Sequence, residues 1–257
     1  MANWKYYPQN VYVEQATLTA LTGTSSTLGL CQNYRARSRC DIDTVSNYTF
    51  AFKITTQGTT AITPNFCAFV NSNFQGGGLY VYCGESVDNG TTWDHYAVDD
   101  YGLATGISPV LVCTNWIGTK SKIHWRVLLT ATETSAYFGN FFMGAARTPS
   151  VDCNYGQPLI YDRTGVKISE TDGGNVFSIK RYGLKRIWTI QYEAINDADM
   201  AILTGLESDC DGPHRPFIFT DSDGALYYGR MNSQMQATPT TAGLWDVTFQ
   251  IREEITT

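Results

Sequence analysis

Paired carboxylates are the first chemistry to look for in this chain. The stretch "TTWDHYAVDDY" sets Asp94 close to Asp99 and Asp100. Two carboxylates flanking a glycosidic bond could do acid–base work on a sugar. In a polar loop, however, acidic neighbours are mostly solvated. The three histidines, His95, His124 and His214, are each isolated. No GxSxG, HExxH or Gly-rich phosphate loop locates a nucleophile, a zinc site or a nucleotide. The acidic run "ESDCDGPH", with "TDSDG" after it, could suggest Ca²⁺, but the later ligands and the closing Glu of a calcium-binding loop are missing. Asp-Gly steps are far more often hairpin turns. The reading is therefore no enzyme, no metal and no cofactor.

The same stretch points more firmly at binding. Tyr82, Trp93, His95, Tyr96 and Tyr101 crowd around "GGGLYVYCGESVDNGTTWDHYAVDDY". Sugar sites combine aromatic faces with nearby carboxylates and amides, and loops at one end of a sandwich are where sites collect. Core packing accounts for many aromatics in a chain that is 13% Phe, Trp and Tyr, so these five are candidates and not a motif. Basic residues form two further groups. Arg35, Arg37 and Arg39 in "NYRARSRCD" lie on one side of an extended segment, where charge discourages edge pairing. "SIKRYGLKRIW" carries Lys180, Arg181, Lys185 and Arg186. Arg181, Lys185, Arg186, Phe217 and Phe219 are the candidates for an interface between copies of the chain.

The elements that must position these residues are strands. Charged residues are only 16% of 257, and Gly numbers 23, a balance that favours strands and tight turns over surface helices. Two-residue alternation dominates. Tyr48, Phe50, Phe52 and Ile54 share one face, and so do Ile123, Trp125, Val127 and Leu129. Trp245, Val247, Phe249 and Ile251 make the cleanest set. Such strands have one wet face and belong to antiparallel sheets. Turn signals divide them at 75–79, 88–92, 171–175 and 221–225. Between 147 and 177 Pro, Gly and polar residues replace apolar runs. The expected domains are thus a β-sandwich over 1–150 and a smaller β-sandwich over 151–257, with 151–177 as linker.

One helix interrupts this pattern. Asn196 or Asp197 can cap it, Asp199 sits in its first turn, and Ala198–Leu206 are good helix formers. Met200, Leu203 and Leu206 face one way, with Ile202 adjoining, and Gly205 with "SDCDGP" is expected to end it. The C-terminal unit reads as strand, helix, hairpin and final strand.

Seven cysteines show no zinc-like spacing, and several sit in apolar runs such as "NFCAFV". Buried free thiols are the expectation, with a Cys31–Cys40 pairing left open. A net charge of −6 without a basic stripe argues against nucleic acid. No signal peptide is visible and no apolar run approaches the roughly 20 residues of a membrane helix, so assembly in a cytoplasm is expected.

Two segments resemble a known family. "RYGLKRIWTIQYEAINDADMAILTGLE", "HRPFIFTDSDGALYYGRM" and "GLWDVTFQIREE" are similar to the tail-tube-like fold of phage tail-tip (distal tail, baseplate-type) proteins. "CAFVNSNFQGGGLYVYCGESVDNG" and "KIHWRVLLTATETSAYFGNFFMGAA" resemble the discoidin-like (galactose-binding-like) sandwich found beside it, with Arg126, Gly139 and Gly144 as structural positions. The resemblance implies a mainly β protein with a discoidin-like N-terminal sandwich and a tail-tube-like C-terminal unit with one helix. It also implies a structural protein of the virion tail, ring-forming with its own copies and in contact with other tail proteins and host surface polysaccharide. The alternative is a carbohydrate-binding module for host attachment with no ring role.

Overall fold

The fold is mainly β, as the alternation predicts. The computed structural model describes residues 3–9, 11–22, 27–32, 39–42, 49–72, 80–86, 88, 90–96, 110–114, 121–130, 136–154, 159–162, 166–170, 176–180 and 185–254. Strand β1 (Lys5–Pro8) leads into a single helical turn, α1 (Val11–Glu14). Then come β2 (Thr17–Thr22), β3 (Cys40–Ile42), β4 (Thr49–Thr55) and β5 (Phe66–Val70). β6 (Tyr80–Ser86), β7 (Trp93–Tyr96), β8 (Val110–Cys113) and β9 (His124–Thr130) follow. β10 (Ala136–Phe138) and β11 (Asn140–Gly144) close the first half. The second half holds β12 (Leu159–Asp162), β13 (Val166–Glu170), β14 (Val176–Lys180) and β15 (Lys185–Asn196). Helix α2 (Asp197–Cys210) is followed by β16 (Phe217–Thr220), β17 (Leu226–Met231), β18 (Gln236–Thr241) and β19 (Leu244–Glu253).

These strands stack in layers. A five-stranded sheet in the order β2-β4-β9-β6-β7 faces a three-stranded sheet, β11-β5-β8. Between them Phe50, Phe52, Ile54, Trp125 and Val127 meet Phe69, Phe141 and Met143. Alternation explains that core: each of these side chains is an inward position on its strand. Beyond it, the three-stranded sheet has no wet face. Phe66, Ala68, Val70, Phe142, Val110 and Val112 point the other way, onto Tyr7, Ile218 and Tyr228 of the third layer. That is why "FCAFV" and the "FFM" of β11 are continuous apolar runs instead of alternating: both faces are buried.

The third layer is a seven-stranded sheet, β1-β16-β17-β19-β15-β12, with β18 also paired to β19. Helix α2 forms the fourth. Leu203, Leu206 and Cys210 of α2 pack with Trp188, Ile190, Tyr192, Phe217, Phe219, Phe249 and Ile251. Apart from the β13–β14 hairpin, the strands of 151–257 therefore lie in one sheet under one helix, and the layer against the sheet's other face comes from the N-terminal half. The division at 150 also differs in one strand. Lys5–Pro8 pairs antiparallel with Phe217–Thr220 and belongs to the later sheet. Its physical reason is alternation again: Tyr6 faces the helix-covered core and Tyr7 the interlayer core.

The linker expected over 151–177 contains structure. β12 pairs with β15, and β13 with β14 in a hairpin of Val166↔Lys180 to Glu170↔Val176. None of these strands is longer than five residues, and with turn signals between them they do not stand out in sequence from a loop.

The helix begins where predicted. The Asn196 Oδ1 accepts from the Asp199 N–H at 2.9 Å, a cap of about 1 kcal/mol. It runs through Gly205 and ends within the expected "SDCDGP", at Cys210, with Asp211 left-handed as the cap. Gly205 is there for space: a Cβ would lie 3.0 Å from the Arg147 guanidinium carbon. That guanidinium is held by two hydrogen bonds to Asp209, at 3.0 and 2.8 Å. Asp199, predicted only to favour the helix dipole, is buried, and its carboxylate accepts from the Ser150 N–H and Oγ–H at 2.7 and 2.6 Å. No helix among the described residues is long and apolar enough to cross a membrane.

The expected thiols are present. Cys31, Cys153 and Cys210 are free and buried, and no disulfide joins Cys31 to Cys40. Burial pushes the Cys153 thiol up to about 12 and those of Cys31 and Cys210 well above the ordinary range, which keeps them protonated and unreactive.

Two outcomes follow from these contacts. Gly205→Ala is expected to lower the melting temperature of the native chain. In an Arg147→Ala background the same change is expected to stabilise by about 1 kcal/mol, the helix-propensity gain over Gly, as read by thermal unfolding. Buried Gln9 donates to the Phe141 carbonyl at 3.0 Å and accepts from the Met143 N–H at 2.8 Å. Gln9→Leu strands both backbone groups and should cost about 1–3 kcal/mol in denaturant titration.

Candidate functional site

The outer face of the five-stranded sheet carries the polar positions of its strands. Lys53 on β4 lies opposite Arg126 on β9, and Thr55 opposite His124. The Thr55 hydroxyl and the His124 Nδ1 are 3.1 Å apart. Desolvation first, and the Lys53 charge second, push the His124 imidazole below its usual range. The sheet face is thus cationic around neutral pH through Lys53 and Arg126.

The loop between β6 and β7 folds onto this face. Its "DNGTT" signal is a turn, as expected. The Ser86 hydroxyl accepts from the Asp88 N–H at 3.3 Å and the Gly90 N–H at 2.5 Å. The Asp88 carboxylate accepts from the Thr92 N–H at 2.5 Å, and bonds from Thr92 hold that carboxyl below the usual range. Gly90 is left-handed at φ +84°, and a Cβ there would meet the Lys53 stem at 2.9 Å. Only glycine lets the loop lie this close. The turn delivers Trp93 to the start of the edge strand β7, where the half-buried indole carries the Arg126 guanidinium 5.5 Å from its ring centroid. An arginine over an indole face is an attractive pair and fixes the ring's tilt.

Of the five sequence candidates for sugar contact, Trp93 is thereby placed on a built surface. Tyr82 on β6 and His95 and Tyr96 on β7 are placed by backbone alone, with Tyr96 opposite Gly84 and Tyr82 opposite Leu128. Tyr101 lies outside the described residues. So do Asp99 and Asp100, while Asp94 is on β7 opposite Glu85. His95 and His124 sit on strands separated by β6, and His214 is exposed in the turn after α2. Among the described residues no group of three or more His, Cys, Asp or Glu is placed to hold a metal ion. Lys53 and Arg126 escaped the sequence reading as site residues, because a single charge on a wet face is the ordinary filling of an alternating strand.

The interface candidates are placed differently. Phe217 and Phe219 are fully buried in the chain's own core, so neither ring has surface to offer another subunit. Their strand alternates, but Ile218 between them is covered by the N-terminal half, and "FIF" is buried throughout. Arg186 forms a two-pronged bond with Glu253 and lies 4.5 Å from the Tyr227 ring centroid. Lys185 pairs with Glu254 at 3.4 Å. Arg181 lies outside the described residues. In the other basic run, Arg39 pairs with Asp41 and stacks over Tyr137 at 3.9 Å, and Arg35 and Arg37 lie outside the described residues.

No protein-family profile matches this chain, and no curated protein matches it either. Several solved structures align with about half of it. One is CpGH89CBM32-5 from Clostridium perfringens, in complex with GalNAc-β-1,3-galactose: 7% identity, 52% of this chain, 99% of that one, TM-score 0.40. Another is chitosan-binding module 1 from a chitosanase/glucanase of Paenibacillus sp. IK-5, with 14% identity, 52% of this chain, 97% of that one and a TM-score of 0.39. CBM32-1 from a family 31 glycoside hydrolase of Clostridium perfringens aligns at 17% identity over 54% of this chain and 96% of its own, with a TM-score of 0.33. These neighbours are carbohydrate-binding modules, and the likeness covers only part of the chain.

Proposed function

We propose that this chain is a non-catalytic attachment protein that binds carbohydrate on the outer face of its five-stranded sheet. The observation that carries the reading is Trp93, presented by a glycine-dependent turn beside Arg126 and Lys53. An indole supplies an apolar platform for the C–H face of a pyranose, and adjacent cations supply directional donors. Two cations on the patch favour sugars that bear a carboxylate, and their attraction weakens with salt. Trp93 and Arg126 bind and orient; neither is asked to break a bond.

A second reading, the virion tail-tip ring implied by the family resemblance, is favoured by one specific observation. The C-terminal sheet ends in a strand, β12, whose Leu159, Ile160 and Tyr161 are all exposed. Exposed consecutive apolar residues on a strand edge mark a contact surface. Both roles are compatible in one appendage, which would meet its particle through one sheet and its host through the other.

Glycan-array and calorimetric binding test the first reading. Trp93→Ala is expected to weaken binding at least tenfold with the melting temperature nearly unchanged, because the ring is only half-buried. Binding to uronic- or sialic-acid polysaccharide should exceed binding to neutral glycans and should fall between 50 and 500 mM NaCl, as expected of a roughly 10 Å screening length near 0.1 M. Silence across both glycan classes would reject carbohydrate binding outright.

A further inference from the structure

The edge strand β12 leaves three consecutive apolar side chains exposed at a sheet border. Native edges are blunted with charge, proline or a covering segment. The opposite border of the same sheet follows that rule. There β1 ends at Pro8, and its Tyr6 exchanges two backbone hydrogen bonds with Arg147, at 2.9 and 2.7 Å. β12 is only four residues long and ends in Asp162, but Leu159, Ile160 and Tyr161 before it have relative exposures of 44%, 51% and 50%. Among the described strands β12 pairs only with β15 and is the last in the sheet.

The pairing of β12 fixes which way its side chains point. Leu159 lies opposite Trp188 and Tyr161 opposite Arg186, so both belong to the face that α2 covers. Ile160 lies opposite Ile187 on the other face. Antiparallel partners directly opposite each other share a face. A second copy of β12, related by a two-fold axis through Ile160, therefore sets Leu159 beside the partner's Tyr161 on one face. It sets Tyr161 beside the partner's Leu159 on that same face and Ile160 beside the partner's Ile160 on the other. All three exposed apolar side chains gain an apolar neighbour in this one register. The strand's own sequence is its complement, which is the condition for an isologous contact. A heterologous pairing of β12 with the partner's β1 is disfavoured, because Arg147 already occupies the outer side of β1.

We propose that two copies of this chain pair antiparallel through β12 about Ile160, joining their seven-stranded sheets into one. An isologous contact closes at two copies, so this pairing goes beyond the ring reading above and does not depend on it, and it is independent of carbohydrate binding. Because each strand contributes only four residues, the contact is small and the dimer is concentration-dependent.

Sedimentation of the full chain over a wide concentration range tests it. The expected result is a monomer–dimer equilibrium that Ile160→Lys abolishes, with the circular dichroism and melting temperature unchanged for so exposed a position. A cysteine scan needs no destabilising change. Opposed residues of an antiparallel pair have Cα atoms about 4.5–5.5 Å apart, within disulfide reach, whereas Tyr161 and its counterpart are offset beyond about 7 Å. Ile160→Cys should give a covalent dimer on mild oxidation, and Tyr161→Cys and the unaltered chain should not. A monomer at every concentration overturns the pairing. Larger rings that survive Ile160→Lys overturn the pairing alone, as does cross-linking at 161 in place of 160.

Discussion

Everything in this structure hangs on a three-stranded sheet that is apolar on both sides. β11, β5 and β8 take one face from the N-terminal core and give the other to the C-terminal sheet. A sheet with one wet face could end a domain, but this one cannot. Exposing Phe66, Val70 and Phe142 would cost on the order of 25 cal/mol for each Å² of apolar surface uncovered. The C-terminal sheet is in the same position, with the helix on one side and Tyr7, Ile218 and Tyr228 pressed to the other. The two halves are consequently four layers of one stack, and not beads on a linker.

Polar groups between the layers are arranged to tolerate this burial. Gln9 stands in for a missing strand rung, the Asn140 amide reaches the Tyr228 hydroxyl at 3.3 Å, and Glu14 meets Arg215 at 2.6 Å. Tyr6 and Tyr192 share one hydroxyl–hydroxyl hydrogen bond at 2.8 Å, and burial raises both of their ionisation ranges, so the pair stays neutral. Each of these links residues far apart in sequence. Losing one partner would leave the other buried and unsatisfied, which costs more than the bond itself contributes. The clasp is therefore a device for fixing the layers' relative position more than a source of net stability.

How much of this was legible follows from which forces act locally. Period-two patterning marked β4, β9, β15 and β19, and the Asn196 cap marked the helix start, because both depend on neighbours within a turn or two. The helix end was legible in "SDCDGP", but Gly205 within the helix was not, because its neighbour Arg147 is distant in the chain. Phe217 and Phe219 misled because a strand buried on both faces looks, in sequence, like one with apolar surface to spare. The crossing of β1 into the later sheet has no local sign at all. At the candidate site, Trp93 was readable as an aromatic in a turn-rich stretch, whereas Lys53 and Arg126 become its neighbours only when β4, β9 and the 86–93 loop are folded together.

The order of the layers also decides how the two exposed features relate. The Trp93 surface lies on the outer face of the first layer, which is opposed on its inner face to the three-stranded sheet. The β12 edge belongs to the third layer and points along the plane of its sheet, not out of a face. Strand pairing at that edge extends the third layer sideways and covers nothing on the first. Two copies joined there by a two-fold axis perpendicular to the sheet would keep their helix-covered faces on one side and their five-stranded sheets on the other. Both Trp93 surfaces would then face the same way, and a weak single contact there would become two contacts on one surface. Because the second contact is then intramolecular, binding to any repeating ligand would tighten without a new interaction at either site.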